Sequence, residues 1–502
     1  MSKNAGAFTN AVREDLKWGK TWNSEDAHVT TSNHCLDLFA RAGSLRGAEK
    51  EVKQILISEA MVENRDIAMK LLFYIRDIRG GYGERDTFTE MFRFLGNVRP
   101  SAVHQNLWAV LEFGRAKDLY CLIGTVSEDY MWEFIKNQFE LDLKNMEAGK
   151  SISLLAKWLA TPDASSSTTK ELGKLTAKKL GYNYKTMRKY KKKLRALRKY
   201  LDLPEAKMCA GQWDSIEYSK CASRFMLKNR KAIERHDKER YDQYIADVMS
   251  GREKMNAGTL MPHDIIQKVW NNDYTNDLEA MWKSLPDMNS GNALVICDTS
   301  GSMFWEESKG GGVYPGVVAF ALAMYLAERN KGDFKNLFMT FSSCPKFVEI
   351  KGETLPLKFS TIQNADVGGS TNLEAAFELV LNTAINGKMK SEDLPKALII
   401  ISDMQINCVN GLAGDRMLFY DKMVKRFEEA GYKMPHVVFW NVNAQNATFH
   451  ANLDSKGVSM VSGFSPNVMK QVLECIGKTP YELMMDIVNS ERYKDITGGN
   501  DL

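Results

Sequence analysis

Between residues 293 and 463 the chain alternates short apolar runs with longer helical stretches. The runs are ALVIC (293–297), NLFMTF (336–341), KALIIIS (396–402), HVVFWNV (436–442) and VSMVSG (458–463). The stretches between them are VVAFALAMYLAERN, NLEAAFELVLNTAI, DRMLFYDKMVKRFEEAG and SPNVMKQVLECIG. A short, continuously apolar run fits a strand buried on both faces, and the longer segments fit helices. The alternation therefore predicts a doubly wound α/β domain, a parallel sheet with helices on both sides. Ligands of such sheets sit beyond the carboxyl ends of the strands. The residues that end each run are then the first place to look for chemistry.

The preceding part of the chain has a different period. In DIAMKLLFYIRDI, TFTEMFRFL, VHQNLWAVLEF and DYMWEFIKNQFELDLKNM, apolar residues recur near i, i+3, i+4 and i+7. The connectors are short and carry Gly, Pro, Asn or Ser, as in RGGYGERD and GNVRPSA. The pattern predicts an all-α, HEAT-like stack of helix pairs without strands. Expected boundaries are residues 1–286 for the helical module, 287–480 for the α/β domain and 481–502 for a C-terminal helix or tail. A chain of 502 residues accommodates this many units.

The first strand runs into DTSGS. Asp298, Ser300 and Ser302 alternate around Gly301, so their side chains can converge on one side of a turn. Asp403 ends KALIIIS, and VGGSTNLEAAF places Thr371 on a glycine-rich loop before a helix. Two carboxylates and three hydroxyls from three strand-end loops form an all-oxygen donor set. Such a set suits a hard divalent cation, Mg²⁺ before any soft metal. The absence of His and Cys from the cluster argues against zinc. DxSxS alone is also an ordinary turn composition; it is the combination with Thr371 and Asp403 that points to a metal.

The DTSGS element, the loop threonine and the strand-terminal aspartate together resemble the metal-ion-dependent adhesion site (MIDAS) of von Willebrand factor A (vWA) domains. The resemblance implies that Ser300, Ser302 and Thr371 hold the metal through their hydroxyls, with Asp298 or Asp403 acting directly or through water. It also implies an open coordination position, filled by a carboxylate from a protein partner. Asn372 follows the threonine where many relatives have Asp, a change that would lower metal affinity.

Net charge is only +4, yet residues 170–200 hold 13 Lys or Arg against one Glu. Such a segment calls for an anionic neighbour. Within it, Met187, Tyr190, Leu194, Leu197 and Leu201 form an apolar stripe that would turn the lysines outward, and Arg188, Lys189, Lys191, Lys192, Lys193, Arg195 and Arg198 are its candidate nucleic-acid contacts. Upstream, RDIRGGYGERDTF sets Arg76, Arg79 and Arg85 around a double glycine, and FGRAKDLY adds Arg115 and Lys117. Arginines beside glycine-rich turns suit phosphate, although each segment also fits a polar connector. The sum favours nucleic acid, RNA or DNA.

A helical-repeat module followed by a vWA domain resembles the TROVE-containing Ro proteins, and more closely their uncharacterised, phage-associated relatives. LLFYIRDIRGGYGERDTF, FGRAKDLY, SLLAKW, LRKYLDLPEAKMCAGQWDSIEYSK and ERHDKERYDQYIADVMSG carry that likeness. The resemblance implies an RNA-binding ribonucleoprotein component. Two alternatives stand beside it: a phage-associated structural or assembly protein using the metal site as a dock, and a vWA adaptor for a MoxR-type ATPase.

The chain has no GxxxxGK[ST] loop, HExxH or GxSxG, so a non-enzymatic role without a small-molecule substrate is expected. No run of about 18 apolar residues predicts a membrane span. The N-terminal MSKNAGAFTNAVRED lacks an apolar signal core. Eight scattered cysteines without a CxxC pair read as small buried hydrophobes in a reducing, cytoplasmic setting.

Overall fold

The computed structural model describes residues 15–21, 24–287, 291–305, 312–341, 344–365, 372–406, 418–443, 448–474 and 476–500. The predicted combination is present: a helical region followed by an α/β domain with a mainly parallel sheet.

In the helical region, successive helices pack on one another, beginning with His34–Ala42, Lys50–Glu63, Arg65–Arg76 and Arg85–Val98. The third of these is the centre of the stack. Leu71 through Arg76 are buried without a break, because neighbours cover every side of that helix. Its start is fixed by Asn64, whose side chain accepts from the Ile67 amide at 3.0 Å. The stripe expected in the basic segment also forms: Tyr190, Leu194 and Leu197 of helix Met187–Tyr200 are buried.

The region is not strand-free. β1 (Trp18–Lys20) and β2 (Asp26–His28) form an antiparallel hairpin that lies on the α/β domain. Thr21 donates to the Ile406 carbonyl at 2.8 Å, and Lys422 and Glu25 form a buried ion pair at 2.6 Å. Three-residue strands without apolar alternation left no period-2 signal to read.

In the α/β domain, β3 (Ala293–Asp298), β4 (Leu337–Phe341), β5 (Lys346–Glu349), β6 (Ala397–Ser402), β7 (His436–Asn441) and β8 (Val458–Ser462) lie in the order β5-β4-β3-β6-β7-β8. All neighbours are parallel except β4 and β5. The antiparallel edge strand KFVE is mostly exposed, so it lacks the apolar run that marks its neighbours. Helix Pro315–Glu328 is apolar all round, and residues 315–327 are buried. One side meets β3 and β6, and another meets helices Pro262–Trp270 and Leu355–Gln363.

Both ends of the helical region therefore rest on the α/β domain. At the start, the Gly43 amide donates to Ser462 Oγ at 2.9 Å, and a Cβ at Gly43 would lie 2.4 Å from the Ser462 carbonyl oxygen. At the end, Trp282 donates to Glu328 at 2.6 Å. The C-terminal residues return to the first helices. Tyr493 donates to Asp77 at 2.9 Å, and Asn106 donates to the Thr497 carbonyl at 2.7 Å.

The cysteines divide. Cys35, Cys221 and Cys297 are buried as expected, whereas Cys209 and Cys344 are exposed. No helix among the described residues is long and apolar enough to cross a membrane.

Candidate functional site: an oxygen cluster and a cationic cleft

The chain enters β3, passes to β4 on one side, and later crosses to β6 on the other. The sheet thus reverses direction between β3 and β6, the point where doubly wound sheets open a crevice. Cys297 pairs in register with Ile401, which brings Asp298 beside Ser402 at the carboxyl ends of the two strands.

Asp298 is fully buried and Asp403 is 3% exposed. The Ser402 hydroxyl donates to Asp298 Oδ2 at 2.6 Å, and the Ser300 amide donates to Oδ1 at 2.9 Å. Ser300 Oγ and Ser302 Oγ lie 3.0 Å apart, and the Gln405 amide donates to Asp403 Oδ1 at 3.1 Å. Four of the five expected metal ligands, Asp298, Ser300, Ser302 and Asp403, therefore share one spot. Thr371 lies outside the described residues. Asn372 has a local role: its side chain caps helix Leu373–Asn386, accepting from the Ala375 amide at 3.0 Å.

Burial, then the charge of Asp403, pushes Asp298 up to about 7. Burial likewise raises Asp403. Neighbouring serine and backbone donors offset these effects only in part. Two buried carboxylates with hydroxyl neighbours and no ion pair among the described residues match what a hard divalent ion would neutralise. The donor set fits Mg²⁺. Ser402 was not anticipated from the sequence; its position as the last residue of an apolar run hid its partnership with Asp298.

The second feature is a cleft of about 2550 Å³ walled mainly by the helical region, with Val313 and Phe464 contributed by the α/β domain. Phe464 sits between Arg46, 4.3 Å above its ring, and His263, edge-on at 5.1 Å. The loop before helix Arg85–Val98 and the residue before helix Pro262–Trp270 come together in the cleft lining, where Gly83 approaches Met261.

The expected anion-binding residues fall into groups. Arg76, Arg79, Arg85 and Arg115 line the cleft, as do Lys191, Arg195 and Arg198. Lys117 is exposed but lies outside the lining. On the basic helix, Lys189, Lys192 and Lys193 turn away from the cleft, and Arg188 lies one turn beyond its rim.

Position in the cleft does not mean freedom. Arg76 is 4% exposed and pairs with Asp118 at 2.7 Å; Arg85 binds the other Asp118 oxygen, also at 2.7 Å. Arg198 donates to the carbonyls of Leu159 (2.7 Å) and Ala156 (2.9 Å) and to the Thr161 hydroxyl (2.9 Å), so it joins two helices. Lys191 pairs with Asp163 at 3.2 Å. The reading from sequence missed Arg224, Lys157 and Trp158 in the lining. Trp158 closes SLLAKW, and an aromatic following a lysine was the one available signal.

The family described as domain of unknown function DUF7788 matches residues 292–496. The uncharacterized protein L728 of Acanthamoeba polyphaga mimivirus is 27% identical over 512 residues, covering 93% of this chain and 86% of that protein. The crystal structure of the Deinococcus radiodurans RO (RSR) protein aligns with 91% of this chain and 99% of its own, at a TM-score of 0.46 and 12% identity. The family described as domain of unknown function DUF2828 matches residues 21–148 and 133–293, together more than half of the chain, and the protein belongs to that family.

Proposed function

We propose that the protein is an RNA-binding, Mg²⁺-dependent interaction protein of the Ro-like kind. In this reading the helical region holds RNA, and the oxygen cluster captures a carboxylate of a protein partner. The observation that carries the RNA part is the cleft itself. Its walls bring cations from well-separated helices together with Trp158, the combination of charge and aromatic surface that suits single-stranded nucleic acid. The outer face of helix Met187–Tyr200, with Lys189, Lys192 and Lys193, offers a second basic surface.

At the sheet end, Asp298, Ser300, Ser302 and Asp403, with Thr371, would hold the metal. A bound Mg²⁺ would supply an electrophilic position for a carboxylate oxygen. The hydroxyl-rich donor set favours capture over hydrolysis, so the role assigned is binding rather than catalysis.

The test is RNA affinity measured across a salt series. Lys191→Glu with Arg195→Glu reverses the cleft face; Lys189→Glu, Lys192→Glu and Lys193→Glu reverse the outer face. RNA binding should weaken steeply with salt and fall in at least one set. Affinity unchanged in both sets would remove the RNA part. A virus-associated assembly role is a second reading, favoured by the mimivirus relative. Stoichiometric recovery in purified particles, without bound RNA, would select it.

A further inference from the structure

Most cations of the cleft already have carboxylate partners. Arg46 pairs with Glu84 at 2.8 Å, Lys53 with Asp86 at 2.5 Å, and Lys157 with Glu205 at 2.9 Å. One corner is different. Asp118 is buried beneath it and is engaged by Arg76, by Arg85 and by the Arg115 amide at 3.0 Å. Arg224 reaches Asp264 at 3.2 Å, and Asp264 also accepts from the Met261 amide at 3.0 Å.

Arg115 has no ion pair among the described residues. Its guanidinium lies 4.9 Å above the Trp158 ring. Burial, then repulsion from Arg76, with further repulsion from Arg224 and Arg85, pushes Arg115 below the usual guanidinium range; Asp118 acts in the opposite sense. Gly114 allows the crowding. A Cβ there would stand 3.0 Å from Asp118 Oδ2 and 3.2 Å from Arg76 Nε. Four guanidiniums thus stand with two carboxylates in this part of the cleft.

We propose that this corner binds the terminal phosphate of an RNA strand, a phosphomonoester, through Arg115 with the half-exposed Arg85 and Arg224. The inference rests on the reading of the cleft as an RNA site and narrows it to one end of the strand. A monoester carries close to two negative charges at neutral pH, whereas an internal diester carries one. A monoester can offset the surplus of two with a single group. Guanidinium forks match phosphate oxygens in pairs, and the stack on Trp158 holds Arg115 in place before the ligand arrives.

The full-length protein is titrated with fluorescent single-stranded RNA of one sequence, ending in a 5′-phosphate, a 3′-phosphate or hydroxyls only. Inorganic phosphate is titrated in parallel. One phosphorylated form should bind about tenfold more tightly than the hydroxyl form, the value of one charge-assisted contact. Arg115→Ala should abolish that preference, bringing the variant's affinity for the phosphorylated form level with its own affinity for the hydroxyl form, and Arg115→Lys should restore part of it. Melting curves of both variants confirm that they fold. Equal affinity for all three RNAs overturns the terminal-phosphate assignment and leaves the RNA reading standing. Failure to bind any RNA, with Arg115-dependent binding of inorganic phosphate, overturns the RNA reading and leaves an anion site for a small phosphate. A preference that survives Arg115→Ala places terminal recognition elsewhere and removes this corner.

Discussion

The oxygen cluster and the cationic cleft collect charge in opposite ways. At the sheet end, two strands hydrogen-bonded in fixed register deliver Asp298 and Asp403 to adjacent positions with no ion pair among the described residues. In the cleft, cations arrive from many helices and most are neutralised within the protein. Arg76 is tied to Asp118, Lys53 to Asp86, and Arg198 to backbone carbonyls. The first site gathers two buried carboxylates whose charge a bound cation would neutralise. In the second many cations are already paired, and Arg115 is among those without an ion pair among the described residues. A raw count of charged residues therefore overstates a binding surface when the same residues hold helices together.

The largest test of this contrast is Asp118→Ala. It would leave Arg76 buried without its counter-charge, and stability should fall by about 3–5 kcal/mol in urea unfolding. A loss below about 1 kcal/mol would mean that Arg76 is not structural, and the contrast would weaken.

Acid should act next, through histidines at or near the sheet. His263, His436 and His450 are buried, and burial pushes each down to about 4 from an ordinary 6.5. The folded form therefore disfavours protonation. Their contribution is intact above pH 6.5 and is lost as pH falls toward 4, by at most roughly 3 kcal/mol each. A melting temperature that stays level from pH 6.5 to 4 would contradict this.

Metal should sharpen the sheet-end side. Mg²⁺ at a hundredfold excess over its Kd should stabilise the wild type by about 2.7 kcal/mol. Asp298→Asn and Asp403→Asn should lose that increment. An equal Mg²⁺ effect in both variants would place the ion elsewhere.

The smallest difference separates two cations of one helix. Arg198→Ala leaves the Leu159 and Ala156 carbonyls short of a donor and should cost about 1–3 kcal/mol. Lys192→Ala, on the outer face, should stay within about 0.5 kcal/mol. Similar costs for the two would mean that Arg198 carries no structural load.

Legibility in the sequence followed the range of the interactions. β3, β6, β7 and β8 are buried on every residue, and such runs announce themselves. The hairpin β1–β2 and the edge strand β5 do not, because short or exposed strands lack a continuous apolar signature. Asp298, Ser300 and Ser302 were legible because a turn aligns alternate residues locally, and Asp403 because it ends a strand. Ser402 was hidden because its role depends on which strand lies beside β6. Arg115 was legible as a cation, while Arg224 and Trp158, remote in sequence, carried no signal linking them to it.

Sequence alone determined the change from helical period to strand-and-helix alternation, and with it the end of the sheet where the aspartate and serine oxygens gather. These follow from apolar burial and local backbone geometry, both encoded over a few residues. Tertiary structure alone decided which cations are available. Asp118 takes up Arg76 from 42 positions away, and Glu25 meets Lys422 across 397. Ion pairing depends on distance in space, so the free guanidinium of Arg115 is defined only once the helices around the cleft are in place.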